Sequence, residues 1–147
     1  MNRTTRPDPL GYTIKRTQQA LRGVMDKALS EIELTTPQYA ALSEVSKDQG
    51  LSNADLARRC FVTPQTMHQI LGGLETRKLL NRSPHPEHGR IQQIQLTKQG
   101  EKALTEAYER VREIEREMTA GLSKSAIDKA NELLEQCCEV LEEMGST

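Results

Sequence analysis

Apolar residues recur along the chain at spacings that predict a mainly helical protein. Between Leu10 and Ile32 they fall at steps of three and four residues, which predicts an amphipathic helix over about residues 9–33. Later stretches repeat this spacing, and each begins with a residue suited to cap a helix: Thr36, Ser52, Thr63, Thr97 and Ser123. Gly50 is expected to end the second helix. Six helices are therefore predicted.

The period changes between Leu80 and Leu96, where apolar and polar residues alternate on either side of the turn-rich stretch SPHPEHG. This pattern predicts a β-hairpin. Just before it, two short helices are joined by the few residues FVT, which is the arrangement of a helix-turn-helix. The expected fold class is mainly α. It is a winged helix-turn-helix DNA-binding domain over residues 36–97, with a small β-hairpin wing, flanked by N- and C-terminal helices over residues 9–35 and 98–147.

Composition bounds the size of the core and suggests a compartment. Apolar residues make up 35% of the 147 residues and aromatic residues 3%, which is lean for a self-sufficient core, so we expect helices to pair between two copies of the chain. The sequence has no apolar run near the ~18 residues of a membrane span, and its first residues lack the apolar centre of a secretion signal. We therefore expect a cytoplasmic protein without a membrane partner, in which the three cysteines are reduced.

Charge is distributed unevenly, although the net charge is only −1. Residues 51–100 carry seven Lys or Arg against three Asp or Glu, together with all three histidines, whereas residues 101–147 carry six basic and twelve acidic residues. Phosphates respond to local charge, because salt screens interactions beyond about 8–10 Å. The basic middle of the chain is therefore the candidate for contact with double-stranded DNA.

The second helix of the predicted motif has a side that is polar but uncharged, where a merely solvated surface would be expected to hold Lys and Glu. In a helix-turn-helix this helix lies in the major groove, with its first turns against base edges. Gln65 and Gln69 are suited to adenine, since an amide pairs with it in two places, and a helix start can hold a phosphate. The contacts predicted here are Thr63, Pro64, Gln65, Thr66, His68 and Gln69. The alternative is a small polar surface without a partner.

Four stretches together resemble the MarR family of bacterial transcription regulators: TTPQYAAL, LSNADLARRCFVTPQTMHQILGGLE, LLNRSPHPEHGR and LTKQG. Their order and separation are similar to those of the family from about Leu10 to the C-terminus. The resemblance implies a homodimer built from the N- and C-terminal helices. It also implies a regulator, in our prediction a repressor, that binds a near-palindromic operator and releases it when a small molecule or an oxidant arrives.

The resemblance also assigns residues of the predicted wing. Arg90, seven residues before Thr97, matches the arginine of the family's Asp-x-Arg pattern and is expected to enter the minor groove of A·T-rich DNA. His88 stands where the family has Asp, so the carboxylate that would orient Arg90 is missing. A histidine here is expected to make DNA affinity depend on pH at about pH 6–7.

Basic residues around the motif are expected to contact phosphates, which positions a protein without specifying sequence. The residues predicted to do so are Arg58, Arg59, Arg77, Lys78 and Arg82. Arg82 has a structural alternative, bonding back to loop carbonyls. Lys78 stands where the family usually has Gly, so a left-handed backbone there is expected at a cost in free energy.

An effector site is implied by the resemblance alone. We expect a small aromatic anion to bind between the dimer helices and the DNA-binding lobe. Its predicted lining comes from the first two helices: Tyr12, Arg16, Tyr39 and Leu42. Core packing is the alternative role for these residues.

Three other functions compete with this prediction. An enzyme is not favoured, because the sequence has no phosphate-binding loop and no nucleophile motif, and we predict no catalytic residue, cofactor or metal. His85 and His88 form an H-x-x-H without a second ligand pair. A redox sensor would use Cys60, Cys137 or Cys138, with an intersubunit disulfide in the last helix. A helical dimer without DNA binding would leave the uncharged polar helix unexplained.

Overall fold

The computed structural model describes residues 9–84, 87 and 92–146, which form six helices and one pair of strands. In chain order these are α1 (Leu10–Ser30), α2 (Thr36–Lys47), α3 (Asn53–Arg59), α4 (Pro64–Thr76), β1 (Leu80–Pro84), β2 (Gln92–Leu96), α5 (Lys98–Thr119) and α6 (Lys124–Gly145). The strands pair antiparallel, from Leu80 opposite Leu96 to Pro84 opposite Gln92. The predicted number and order of elements is confirmed.

Side-chain caps determine where most of the helices begin. The caps predicted for α3, α4 and α6 are confirmed: Ser52, Thr63 and Ser123. The prediction for α2 is wrong, because Thr35 rather than Thr36 caps it, in a reciprocal capping box with Gln38. Gly50 is also not the residue that ends α2, since the helix already ends at Lys47. A cap of this kind contributes about 0.5–2 kcal/mol, because it satisfies an amide of the first turn.

The chain divides within α5 into two compact units, one ending at Val111 and the other beginning at Arg112. The first unit contains a core drawn from α1 to α4, the first part of α5 and both strands. Its largest fully buried side chains are Leu29, Leu42, Val45, Leu56, Met67, Leu71, Leu74 and Leu80. In the second unit, none of the residues of α6, all of which the structure describes, is buried. Among the described residues, no helix has the length and apolar character needed to cross a bilayer.

A close backbone contact joins the base of the hairpin to α5. The Thr97 hydroxyl donates to the Lys78 carbonyl at 2.6 Å and accepts from the Gly100 N–H at 3.0 Å. A Cβ atom on residue 100 would lie 1.9 Å from the Leu79 carbonyl oxygen, so only glycine fits at this approach. The LTKQG stretch therefore anchors the hairpin, beside the C-terminal end of α4.

Candidate nucleic-acid interface

Helix α4 has one side in the core and one side at the surface. Met67, Leu71 and Leu74 have 0% of their surface exposed, and they pack with residues of α2 and α3. Gln65, His68 and Gln69, which lie outside this buried stripe, are exposed. The side that we predicted to contact base edges is therefore open, and the core fixes its direction.

The residues predicted to contact bases lie in two different surroundings. Gln65 and His68 are exposed and do not line the groove that borders α4. Thr66 and Gln69 are also exposed, but they line an open groove of about 600 Å³ together with residues of α1 and α2. Gly73 lies on this second side as well, since a Cβ there would be 3.7 Å from a side-chain nitrogen of α2. The predicted surface is thus a ridge at Gln65 and His68 beside a groove.

The first turn of α4 contains one backbone N–H for which the described residues supply no capping partner. Pro64 has no N–H, and the N–H of Thr66 donates to the Thr63 hydroxyl at 3.1 Å. This leaves the N–H of Gln65 at the helix start, where an anion is favoured. Asn53 of α3 donates to the Pro64 carbonyl at 3.1 Å and so holds this turn against the first helix of the motif.

Asn53 is a positioning residue that the sequence analysis did not single out. Its amide connects the first turns of α3 and α4, eleven residues apart. Its side-chain oxygen is buried and has no hydrogen-bond partner among the described residues. A polar side chain directly after a helix cap is ordinary in sequence, so nothing in the pattern distinguishes this one.

The arginines predicted to contact phosphates differ in how firmly they are held. Arg58 pairs with Asp55 on α3, and its side chain is 78% exposed. Hydrogen bonds from Ser52 and from Arg58 lower the pKa of Asp55, so this carboxylate is ionised. Arg82 pairs with Glu75, and only 16% of its side chain is exposed. Exposed pairs are weak, at about 0–1 kcal/mol, so Arg58 can exchange its partner for a phosphate more readily than Arg82.

Arg82 and Arg77 both connect elements of the first unit. The Arg82 guanidinium bonds to the Glu75 carboxylate and joins β1 to α4, whereas its predicted bonds to loop carbonyls fall on a loop mostly outside the described residues and stay a prediction. Arg77 donates to the backbone carbonyl of Glu33 and ties the end of α4 to the turn between α1 and α2. The left-handed backbone expected at Lys78 is confirmed, with a φ of 59°.

The wing tip and the histidine pair lie outside the described residues. This applies to His85, His88 and Arg90, whose roles stay predictions. Within the described ranges, no group of three or more His, Cys, Asp or Glu side chains is arranged to hold a metal ion.

The residues predicted to line an effector site are placed apart from the groove beside α4. Tyr12 is 58% exposed, and the Arg16 guanidinium carbon lies 5.8 Å from the centroid of its ring. Tyr39 packs edge-on against Tyr108, with centroids 6.0 Å apart. Leu42 is completely buried in the core. Tyr12 is thus largely exposed beside Arg16, whereas Leu42 is used for packing.

The three thiols are free, and two have a raised pKa. Burial, and then the charge of Glu44, raise the pKa of Cys60, which is half-buried. The charge of Glu142 raises the pKa of the exposed Cys138. Cys137 is half-buried. Because the thiolate is the reactive form, these surroundings disfavour oxidation of Cys60 and Cys138.

Comparison with known proteins identifies the family. Residues 32–91 match the sequence model of the MarR family. The chain is 34% identical over 128 residues to the HTH-type transcriptional repressor Rv2887 of Mycobacterium tuberculosis, an alignment that covers 87% of this chain and 92% of the relative. This chain belongs to the MarR family. The predicted class, a MarR-family transcription regulator, is confirmed.

Two solved structures of Rv2887 from Mycobacterium tuberculosis have the same fold. The complex with DNA is 31% identical, with a TM-score of 0.72, and the alignment covers 89% of this chain and 98% of that one. The complex with salicylic acid is 33% identical, with a TM-score of 0.74, and covers 89% and 97%. The mainly helical winged helix-turn-helix predicted from the sequence is therefore confirmed for this MarR-family chain.

Proposed function

We propose that this MarR-family chain is a homodimeric repressor that binds duplex DNA through α4 and the hairpin, and releases it when a small aromatic anion binds. The observation that carries the proposal is the uncharged, exposed side of α4, whose opposite side is fixed in the core. A relative that is 31% identical has been solved with DNA, and the same relative with salicylic acid, which supports both halves of the proposal.

The DNA-binding domain in this proposal is residues 36–97. Helix α4 enters the major groove with its first turn against base edges, and the two copies meet successive grooves about 34 Å apart on a near-palindromic site. Gln65 and His68 are the principal base contacts, since they form the outer ridge of α4. Thr66 and Gln69 contact the edge of the site, and Thr63 and Pro64 lie against the backbone with the N–H of Gln65. Arg58 contacts a phosphate.

The other cations have less direct roles in the proposed complex. Arg77 and Arg82 hold the end of α4 and the base of the hairpin, through Glu33 and Glu75. His88 and Arg90 are proposed to contact the minor groove from the wing, as expected from the resemblance.

The dimerisation region in this proposal is residues 9–35 and 98–147. Large apolar side chains are exposed on α6, where Leu134 is 46%, Leu141 63% and Met144 68% exposed. On α1, Leu10 is 51% and Val24 53% exposed. Burying a side chain of this size contributes roughly 1.5–3 kcal/mol, so burial of these helices against a second copy of the chain would strongly favour dimerisation.

The effector site is proposed at Tyr12, Arg16 and Tyr39. A guanidinium beside an exposed ring suits a carboxylate carried on an aromatic ring. Release of DNA requires the ligand to bind more tightly to a dimer whose α4 helices do not match the grooves. Calorimetric titration with salicylate tests whether this site binds an aromatic carboxylate. The heat of binding should disappear in Arg16→Ala and stay unchanged in Lys15→Ala. Release of DNA only on oxidation would instead support the redox alternative.

Duplex binding across salt concentrations tests the central part of the proposal. We expect the wild-type chain to select a near-palindromic site from random duplexes and to lose affinity steeply as salt rises, because counterions are released from phosphates. No binding of any duplex at moderate salt would refute it and would support a helical dimer with another role. The proposal assigns the chain no catalytic activity, and it places the protein in the cytoplasm with the DNA that it regulates.

A further inference from the structure

Phe61 has a backbone conformation that is unfavourable for phenylalanine, and its side chain is almost fully exposed. It is the chain's single phenylalanine. Its φ is 56°, in the left-handed region, and 94% of its surface is exposed. The left-handed region is unfavourable for a residue with a Cβ atom, and an exposed ring leaves apolar surface in water. Neither the backbone nor the core gains from phenylalanine at this position.

The hydrogen bonds of this turn are those that normally select glycine. The Val62 N–H bonds to the Ala57 carbonyl at 3.0 Å, and the Phe61 N–H bonds to the Arg58 carbonyl at 3.2 Å. This pair is the Schellman pattern that closes a helix, here α3, and its left-handed residue is usually Gly. Glycine would close the same turn without strain and without an exposed ring. Because phenylalanine is unfavourable here in the folded chain, we expect its ring to contact another molecule.

The surroundings of Phe61 suit duplex DNA. Phe61 is two residues from Thr63, so its Cα lies within about 7 Å of the start of α4. Arg58, in the last turn of α3 and three residues before Phe61, is a cation whose side chain is 78% exposed. A cation, an apolar ring and the polar first turn of α4 together match the phosphates and the major-groove edge of a duplex. Thymine supplies the apolar partner, through its 5-methyl group.

We propose that Phe61 is a specificity-determining residue that packs against the 5-methyl group of a thymine next to the bases contacted by α4. The inference rests on the proposed function, because it requires α4 to lie in the major groove. Phe61 and Gln65 then determine neighbouring positions of each half-site, one through a methyl group and one through hydrogen bonds.

Replacing thymine by deoxyuridine in the duplex tests this contact, because deoxyuridine lacks only the methyl group. A site selected by the wild-type protein is substituted at one thymine at a time, and affinity is measured by fluorescence anisotropy. We expect the wild type to lose about threefold to fivefold at one thymine in each half-site, the effect of burying one methyl group. Phe61→Gly should bind the thymine duplex more weakly and show no further loss at that position.

Two further variants separate this contact from effects on folding. Phe61→Asn keeps a residue that tolerates the left-handed turn and should show the same loss of thymine preference. Leu122→Gly removes another exposed apolar residue, just before the capping residue of α6, and should leave the deoxyuridine profile of the wild type unchanged. Phe61→Gly should melt no lower than the wild type, since glycine relieves the strained turn.

The outcomes distinguish this inference from the proposed function. A wild-type deoxyuridine profile in both Phe61 variants would overturn the inference and leave duplex binding intact. So would a loss of affinity in Phe61→Gly that keeps the wild-type thymine preference, because it would indicate a contact with the sugar-phosphate backbone. Failure of the wild type to bind any duplex would overturn the proposed function itself.

Discussion

Helices α4 and α6 are both amphipathic, but their exposed sides differ in chemistry. α4 buries three large apolar residues completely and exposes an uncharged polar side. α6 buries none of its residues and exposes Leu134, Val140 and Leu141, each more than 45%. The polar side chains of α4 are well solvated in water, and they can also donate and accept hydrogen bonds with the bases of a duplex. The apolar residues of α6 remain unfavourably exposed until another protein surface covers them, so the two helices indicate two kinds of partner.

The largest expected effect tests whether the core fixes α4. Leu71→Ala removes a completely buried side chain, and we expect the free energy of unfolding to fall by about 2–5 kcal/mol in urea titrations. The neighbouring Gly72→Ala is the matched control, because a Cβ there meets nothing within 4 Å. That change should raise the free energy of unfolding by about 0.5–1 kcal/mol. Similar results for both would show that α4 is not held by its apolar side.

The next effect tests the other half of the comparison, on α6. Leu141→Lys places a charge where we propose that a second chain binds, and it should raise the dimer dissociation constant at least about tenfold, since a buried leucine is worth about 1.5–3 kcal/mol. Sedimentation equilibrium measures this directly. Glu139→Lys introduces the same side chain two residues away, on a different side of α6, and should have little effect. Equal dissociation constants for the two variants would contradict the proposed interface.

A smaller effect separates a phosphate contact from a structural brace. Arg58→Ala should reduce the slope of log affinity against log salt by about 2, because the bound dimer loses one phosphate contact in each of its two chains and each contact contributes about 0.9. Arg82→Ala should leave this slope unchanged and lower the free energy of unfolding by about 1 kcal/mol, because Glu75 is left without its guanidinium. Lys124→Ala, an exposed lysine of α6, is the control for charge alone. A reduced slope in Arg82→Ala would show that this residue contacts DNA after all.

The smallest effect concerns the strain at the end of α4. Lys78→Gly removes the strain of a left-handed backbone, but glycine also loses more conformational entropy on folding. The net result that we expect is a gain of about 0.5–1 kcal/mol in the free energy of unfolding. Lys102→Gly, inside α5, should instead lose about 1 kcal/mol. In thermal melts, the melting temperature should rise for Lys78→Gly and fall for Lys102→Gly. A loss in Lys78→Gly would mean that the lysine side chain supports the hairpin.

The elements were predictable because their signals are local in the chain. Thr63 and Ser123 cap the helices that follow them, and the period of apolar residues changes at Leu80 as the hairpin begins. The error at Thr36 is also local, since two adjacent threonines precede Pro37 and either one can cap.

The details of the site depend on contacts between distant residues, which spacing does not reveal. Arg77 donates a hydrogen bond to the Glu33 carbonyl, forty-four residues away. Thr66 and Gln69 border a groove that is also lined by residues of α1. Phe61 became notable only through its φ and its exposure. The sequence therefore indicates which helix carries the site, whereas packing decides which of its side chains form the outer ridge.

The most direct test of the central claim is to select binding sites from random duplexes with Gln65→Ala, in parallel with the wild type. Gln65 is on the outer ridge of α4, and Gln49→Ala, an exposed glutamine outside α4, is the matched control. We expect the variant to lose preference at one base pair of each half-site, with a penalty of about 1–3 kcal/mol for each half-site of the wild-type operator. Gln49→Ala should select the wild-type site. An unchanged preference in Gln65→Ala would contradict the claim that the uncharged side of α4 contacts base edges.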